Sequence, residues 1–102
     1  MELNCRKIPN HLRRLRKQMG LSQVEVASLL GIAHTTRIIR WEQGKSIPAL
    51  HNLFRLSVIY HCYPHELYPE LFAKLYEQLH TKTKEVLLTK HFAPIHEQRY
   101  QN

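Results

Sequence analysis

Hydrophobic residues recur at helical spacing along most of the chain, and three glycines interrupt the pattern. Gly20, Gly31 and Gly44 each follow a stretch with helical periodicity. A glycine just past the last turn of a helix readily takes the left-handed conformation that ends it. The pattern therefore predicts three short helices that end at these glycines, and no strand-like alternation competes with them.

The first two of these helices have recognisable termini. The first is predicted from about Pro9 to Met19, because proline suits an opening turn and the apolar positions share one face. The second opens with Ser22 and Glu25, whose spacing is that of a capping box, in which each side chain satisfies a backbone amide of the other residue. It is expected to end at Gly31.

Further helices follow, the third from about Thr35 to Gln43. A fourth begins after Pro48 and is expected to be mostly buried, and a short turn follows from Pro64. From Pro69, apolar residues at helical spacing predict one or two helices that reach about Lys90. The apolar positions of this last segment are Leu71, Phe72, Leu75, Leu79, Val86 and Leu87.

The fold class predicted from these elements is all-α. A chain of 102 residues is long enough for one compact domain and too short for two ordinary ones. Residues 1–68 are therefore taken as the domain, and residues 69–102 as a C-terminal helical extension and candidate dimerisation element.

Positive charge is concentrated in the first half of the chain. Residues 1–45 carry nine Lys and Arg against three Glu, whereas residues 46–102 carry six against five. A basic half on a nearly neutral remainder favours a polyanionic partner, although basic surfaces without such a partner are common.

The sequence favours a soluble, cytoplasmic protein. No window is apolar enough for a membrane helix, and residues 1–10 lack the features of a secretory signal. Cys5 and Cys62 lie far apart and are expected to be free thiols, with Cys62 buried. His61, Cys62 and His65 could supply three zinc ligands, but no fourth has suitable spacing, so no metal or cofactor is predicted. No catalytic group stands out, and an enzyme is not expected.

Several ordered segments carry a family resemblance, which extends from about Ile8 to Tyr68. They are Leu21–Ile32, Ile38–Lys45, Pro48 and Leu53–Ser57. Together they resemble the phage Cro and repressor type of helix-turn-helix, also called the xenobiotic-response-element (XRE) family. The resemblance implies a five-helix, lambda-repressor-like DNA-binding domain with the second and third helices crossing at Ala27.

The resemblance also implies how the third helix is held in place. Ile38 and Trp41 are expected to pack inward. Glu42 is expected to pair with an arginine of the first helix, which we assign to Arg16. Removing one partner of such a pair would leave a buried charge.

The outer face of the third helix is predicted to read DNA bases. With Ile38 directed inward, a helical wheel places Thr36, Ile39, Arg40 and Gln43 on the opposite side. Arginine can bind guanine through two hydrogen bonds, and threonine or isoleucine can contact a thymine methyl group. A merely solvated face remains the alternative. The predicted base contacts are Thr35, Thr36, Arg37, Ile39 and Arg40.

Three residues are predicted to contact DNA phosphates. Gln23 begins the second helix, where free amides and the helix dipole favour an anion, and the resemblance implies the same role. Gln43 and Lys45 lie at the end of the third helix, and Arg37 is a further candidate. Ordinary surface polarity is the alternative for all three of these residues.

The chain departs from the family pattern at two places. Eight residues separate Ile32 from Trp41 where the family usually has seven, and we expect the extra residue to lengthen the turn before the third helix. Ala49 occupies a position where a helix-capping Ser or Thr is common, which removes a cap worth about 1 kcal/mol.

The sequence therefore predicts a regulator of transcription that binds double-stranded DNA sequence-specifically, more readily a repressor than an activator. A homodimer is expected because one module reads few base pairs. The extension from Pro69 either pairs between two chains or folds back on the domain. The rival hypothesis is a protein-interaction module, such as an antitoxin or phage accessory subunit, that uses the helix-turn-helix as a scaffold.

Overall fold

A computed structural model describes residues 7–91, and these form five α-helices, one 3-10 helix and no strand. In chain order they are α1 (Leu12–Gln18), α2 (Gln23–Leu30), α3 (Thr36–Glu42), α4 (Leu50–Ile59), the 3-10 helix Pro64–Glu66 and α5 (Pro69–His91). The fold is all-α. Cys5 and the last residues of the predicted extension lie outside the described part of the chain.

The chain divides into two compact units, one up to Leu71 and one from Phe72. The first unit contains a hydrophobic core, to which α1 to α4 and the residues after the 3-10 helix contribute. The buried apolar residues are Leu12, Val26, Ala27, Leu30, Ile38, Trp41, Leu56, Tyr60, Leu67 and Tyr68. Within the described residues, the second unit consists of α5 from Phe72 onward.

Helix α1 begins at Leu12 rather than at the predicted Pro9. The side chain of Asn10 explains the later start, because its oxygen accepts a hydrogen bond from the Leu12 amide (3.0 Å). Its Nδ2 atom donates to the Ile8 carbonyl (3.0 Å). Asn10 thereby holds the preceding residues outside the helix, an effect that a proline-based prediction does not include.

Both predicted signals of α2 are confirmed. Ser22 Oγ accepts from the Glu25 amide (3.0 Å), and Glu25 Oε1 accepts from the Ser22 amide (2.8 Å), which completes the capping box. Gly31 ends the helix with a φ of 74°. Helix α2 is therefore fixed at both ends by local chemistry.

Helix α4 is less buried than predicted. Leu50, Phe54 and Val58 follow one another at intervals of four residues, and each exposes half or more of its surface. Only the opposite face, which includes Leu56, lies in the core. Helical spacing identified apolar positions correctly here, but no element among residues 7–71 covers the outer side of α4. Ala49 forms no side-chain cap.

Gly44, after α3, has a second role beyond ending a helix. Its carbonyl accepts a hydrogen bond from the Ile8 amide (3.0 Å), and its φ is 76°. A Cβ atom at this position would lie 2.6 Å from the Ile8 carbonyl oxygen. The residues before α1 and the end of α3 therefore approach so closely that only glycine fits.

The C-terminal segment forms one continuous helix, where the sequence allowed one or two. Its apolar residues from Phe72 onward are largely exposed. No helix within residues 7–91 is long and apolar enough to cross a membrane.

Cys62 is a free thiol. It is only partly buried, whereas the sequence predicted a buried residue. Its partial burial raises the pKa of the thiol.

Candidate nucleic-acid interface

The two faces of α3 differ in burial and in chemistry. Ile38 and Trp41 are 1% and 4% exposed and anchor the helix in the core. Thr36 and Arg40 are exposed on the other side, as the helical wheel predicts, and Arg37 is exposed beside this ridge. Ile38 and Trp41 belong to one uninterrupted helix, which begins at Thr36.

The five predicted base-contact residues occupy different environments. Thr35 is the N-cap of α3, is partly buried and forms no side-chain capping bond. Ile39 is also partly buried, whereas Thr36, Arg37 and Arg40 are exposed. Thr36 and Arg40 are four residues apart, so both lie on one outward ridge of the helix.

Arg37 is exposed but has a contact within the protein. Its guanidinium carbon lies 5.8 Å from the centroid of the Trp41 ring, which is a cation-π geometry. A guanidinium that stacks on an aromatic ring keeps its N–H donors in its own plane, where they can still form hydrogen bonds. Arg37 is therefore oriented by the same tryptophan that anchors the helix.

A buried ion pair connects α1 to the end of α3. Arg16 Nε donates to Glu42 Oε2 (2.6 Å) and Arg16 Nη2 donates to Glu42 Oε1 (3.1 Å), so the pair is bidentate. The two side chains are only 8% and 5% exposed. The hydrogen bond to Glu42 raises the pKa of Arg16. Arg16 Nη1 also donates to the Leu21 carbonyl (2.9 Å), which ties the pair to the start of the helix-turn-helix.

Among the three predicted phosphate contacts, Gln23 belongs to this network. Its Nε2 atom donates to Glu42 Oε1 at 3.1 Å, and the residue is partly buried at the first position of α2. Gln43 is the C-cap of α3 and Lys45 follows it, both exposed. The Lys45 amide donates to the Arg40 carbonyl (2.9 Å), which fixes the backbone of this turn.

Three residues that the sequence analysis did not single out also shape this region. Asn10 Nδ2 donates to the Trp41 carbonyl (3.2 Å), and Arg55 Nη2 donates to the Leu30 carbonyl (2.8 Å) at the end of α2. Lys7 lies beside Gly44 and is exposed, so it adds a positive charge near Lys45. These contacts join residues distant in sequence, and no local pattern indicates them.

The architecture and the surface together define a helix-turn-helix protein. Helix α2, a tight turn and α3 form the motif, and α3 presents an arginine-bearing outer face. A family model for helix-turn-helix domains of the XRE type matches residues 12–67, which is more than half of the chain. The chain belongs to this helix-turn-helix family, a family of DNA-binding domains that are typically not enzymes. No curated protein matches the chain.

Proposed function

We propose that this chain regulates transcription by binding double-stranded DNA sequence-specifically, with α3 in the major groove and without catalysis. The observation that carries this proposal is the division of α3 into two faces. Ile38 and Trp41 are buried, while Thr36 and Arg40 form an exposed ridge. A helix held firmly from behind can present such a ridge to base edges at a fixed depth.

Each predicted contact has a proposed role on the DNA. The proposed base contacts are Thr35, Thr36, Arg37, Ile39 and Arg40. Gln23, Gln43 and Lys45 are proposed to bind phosphates on either side of the recognition helix. The exposed basic side chains of α1 support this arrangement, since positive charge near the motif attracts the DNA backbone.

We also propose that the chain binds DNA as a homodimer. We place this activity in the cytoplasm. Dimers of this motif bind half-sites about 34 Å apart, which extends the DNA sequence that is read. Residues 1–68 would bind DNA and residues 69–102 would join the copies. Repression is the simpler outcome, because a bound dimer can block access to its site without recruiting another protein.

Selection of bound sequences from a random duplex pool tests the proposal directly. We expect enrichment of a site with approximate two-fold symmetry. Arg40→Ala should cost about 1 to 3 kcal/mol on the selected site and relax preference at one base pair. Lys74→Ala in α5 removes the same charge and is the control. Equal loss on random DNA would make Arg40 a phosphate contact, and failure to bind any duplex in dilute buffer would overturn the proposal.

A protein-interaction function is the second candidate, and the exposed apolar ridge of α4 favours it. Leu50, Phe54 and Val58 present three large apolar side chains on one line. DNA binding through several phosphates should weaken by orders of magnitude between about 50 and 200 mM salt. Binding of a protein to the apolar ridge should persist over that range, and Phe54→Ser should abolish it while leaving DNA affinity unchanged.

A further inference from the structure

Helix α5 carries an apolar stripe along most of its length. The helix has 23 residues and is therefore about 34 Å long. Phe72, Tyr76, Leu79, Thr83 and Val86 follow alternating intervals of four and three residues, which is the spacing of a coiled-coil seam. The four apolar members of the stripe expose between 49% and 57% of their surface.

We propose that α5 pairs in antiparallel orientation with α5 of a second copy, with the two-fold axis close to Leu79 and His80. This inference names the geometry of the dimer in the proposed function. The pairing itself requires no DNA, so it can be tested separately.

The distribution of side-chain size along the stripe favours the antiparallel arrangement. The first half contains the large residues Phe72, Tyr76 and Leu79, and the second half contains the smaller Thr83 and Val86. In a parallel pair, large residues would meet large ones, and Lys90, the next position of the stripe, would face its own copy. In an antiparallel pair Phe72 meets Val86 and Tyr76 meets Thr83, while the two copies of Leu79 meet at the axis, which fills the interface more evenly.

The surface of the helix has a matching hollow. It lies in the first half of the stripe and is mostly apolar. The ring of His80 stacks on that of Tyr76 with centroids 4.7 Å apart and forms one of its walls. Hollows of this kind accept a side chain from a facing helix in knobs-into-holes packing. With the axis near Leu79, the side chains that reach it come from Thr83 and Val86 of the second copy.

Charge along α5 also favours this orientation. Residues 69–79 carry two Glu and one Lys, whereas residues 80–90 carry three Lys and one Glu. An antiparallel pair places each acidic half beside a basic half and opposes the two helix dipoles. A parallel pair would place the two basic halves side by side.

The orientation determines how far apart the two DNA-binding units are attached. With the axis midway between Leu79 and His80, the two copies of Leu71 would be about 25 Å apart along the helix axis. A parallel pair would hold them only about 8 to 10 Å apart, the usual distance between packed helices. The separation in the antiparallel pair is closer to the half-site spacing of about 34 Å. This comparison with DNA rests on the proposed function, whereas the pairing of the helices does not.

Disulfide cross-linking of the full chain distinguishes the orientations, with Cys5 and Cys62 first replaced by serine. Phe72→Cys and Val86→Cys chains, mixed and oxidised, should give a cross-linked heterodimer, because these positions face each other in the antiparallel pair. Phe72→Cys alone should give no cross-link, because its two sulfurs would be about 20 Å apart. A cross-link in that sample would show parallel pairing and overturn the proposal.

Sedimentation of the unmodified chain tests the pairing itself. We expect a dimer that Leu79→Lys weakens more than about tenfold, since the substitution buries a charge at the axis. Thr81→Lys adds the same charge on the opposite face and should leave the dimer intact. A monomer at tens of micromolar, or equal effects of both variants, would overturn the proposal. If the chain is a monomer but still binds a DNA half-site, the pairing of α5 is wrong and the proposed DNA-binding function remains.

Discussion

Two regions of this chain carry apolar residues at the same helical spacing, but these residues are buried in one region and exposed in the other. Up to Leu71 the pattern supplies a core, in which Leu12 and Leu56 are almost fully buried. From Phe72 onward the same pattern leaves side chains such as Leu79 more than half exposed. Periodicity therefore identifies the apolar face of a helix, whereas only the surrounding structure decides whether that face is covered.

The largest effect should come from the buried ion pair of the first region. Glu42→Ala leaves Arg16 buried without its partner and also removes the acceptor of Gln23. We expect a loss of about 3 to 5 kcal/mol in the free energy of unfolding. Urea denaturation followed by circular dichroism measures it.

The double variant Arg16→Met/Glu42→Met is the matched control, because it replaces both charges by apolar groups of similar length. It should recover most of the stability, as replacement of a whole buried pair is often neutral. A double variant as unstable as Glu42→Ala would contradict the explanation through an unpaired charge.

A second pair of variants compares the two regions directly. Leu56→Ala should lower the free energy of unfolding by about 2 to 5 kcal/mol, because it opens a cavity in the core. Leu79→Ala should change it by no more than about 0.5 kcal/mol in dilute, monomeric protein. Fluorescence of Trp41, the single tryptophan, reports the unfolding of the first unit. Similar losses in both variants would show that Leu79 belongs to the same cooperative core.

A smaller difference in stability is expected between alanine substitutions at two glycines that have nearly the same backbone conformation. Gly31→Ala meets open space and should cost about 1 kcal/mol for the left-handed conformation alone. Gly44→Ala also places a methyl group against the Ile8 backbone and should cost at least about 1 kcal/mol more. Thermal denaturation compares the two variants. Equal costs would mean that the residues before α1 move away without penalty.

The smallest expected effect is a gain in the free energy of unfolding. The hydroxyl of Tyr68 is buried without a hydrogen-bond partner in the described part of the chain, and burial raises its pKa to about 12. Tyr68→Phe removes this unsatisfied group and should stabilise the protein by about 1 kcal/mol.

The pH dependence provides an independent check of the Tyr68 environment. In the unfolded chain this tyrosine ionises near pH 10, whereas the folded protein holds it neutral to about pH 12. Stability should therefore fall as the pH rises above about 10, and it should fall less in Tyr68→Phe. Identical alkaline profiles for the two proteins would contradict the buried, neutral hydroxyl.

Much of the fold follows from local sequence. The capping box at Ser22, the end of α2 at Gly31 and the inward face of α3 at Ile38 and Trp41 depend on residues within one or two turns. The start of α1 was misplaced because Asn10 bonds to residues outside the helix. The burial of α4 was overestimated because no element among residues 7–71 covers Phe54 and the neighbouring apolar residues.

The order and polarity of residues were enough to determine an all-α chain, both ends of α2 and the exposed arginine ridge, because caps and helix faces are short-range properties. Only the tertiary structure brought Gln23 to the Arg16 and Glu42 pair, and Lys7 to Gly44. It also decided which apolar faces are covered. Those outcomes depend on contacts between residues far apart in sequence, which arise only when the helices pack.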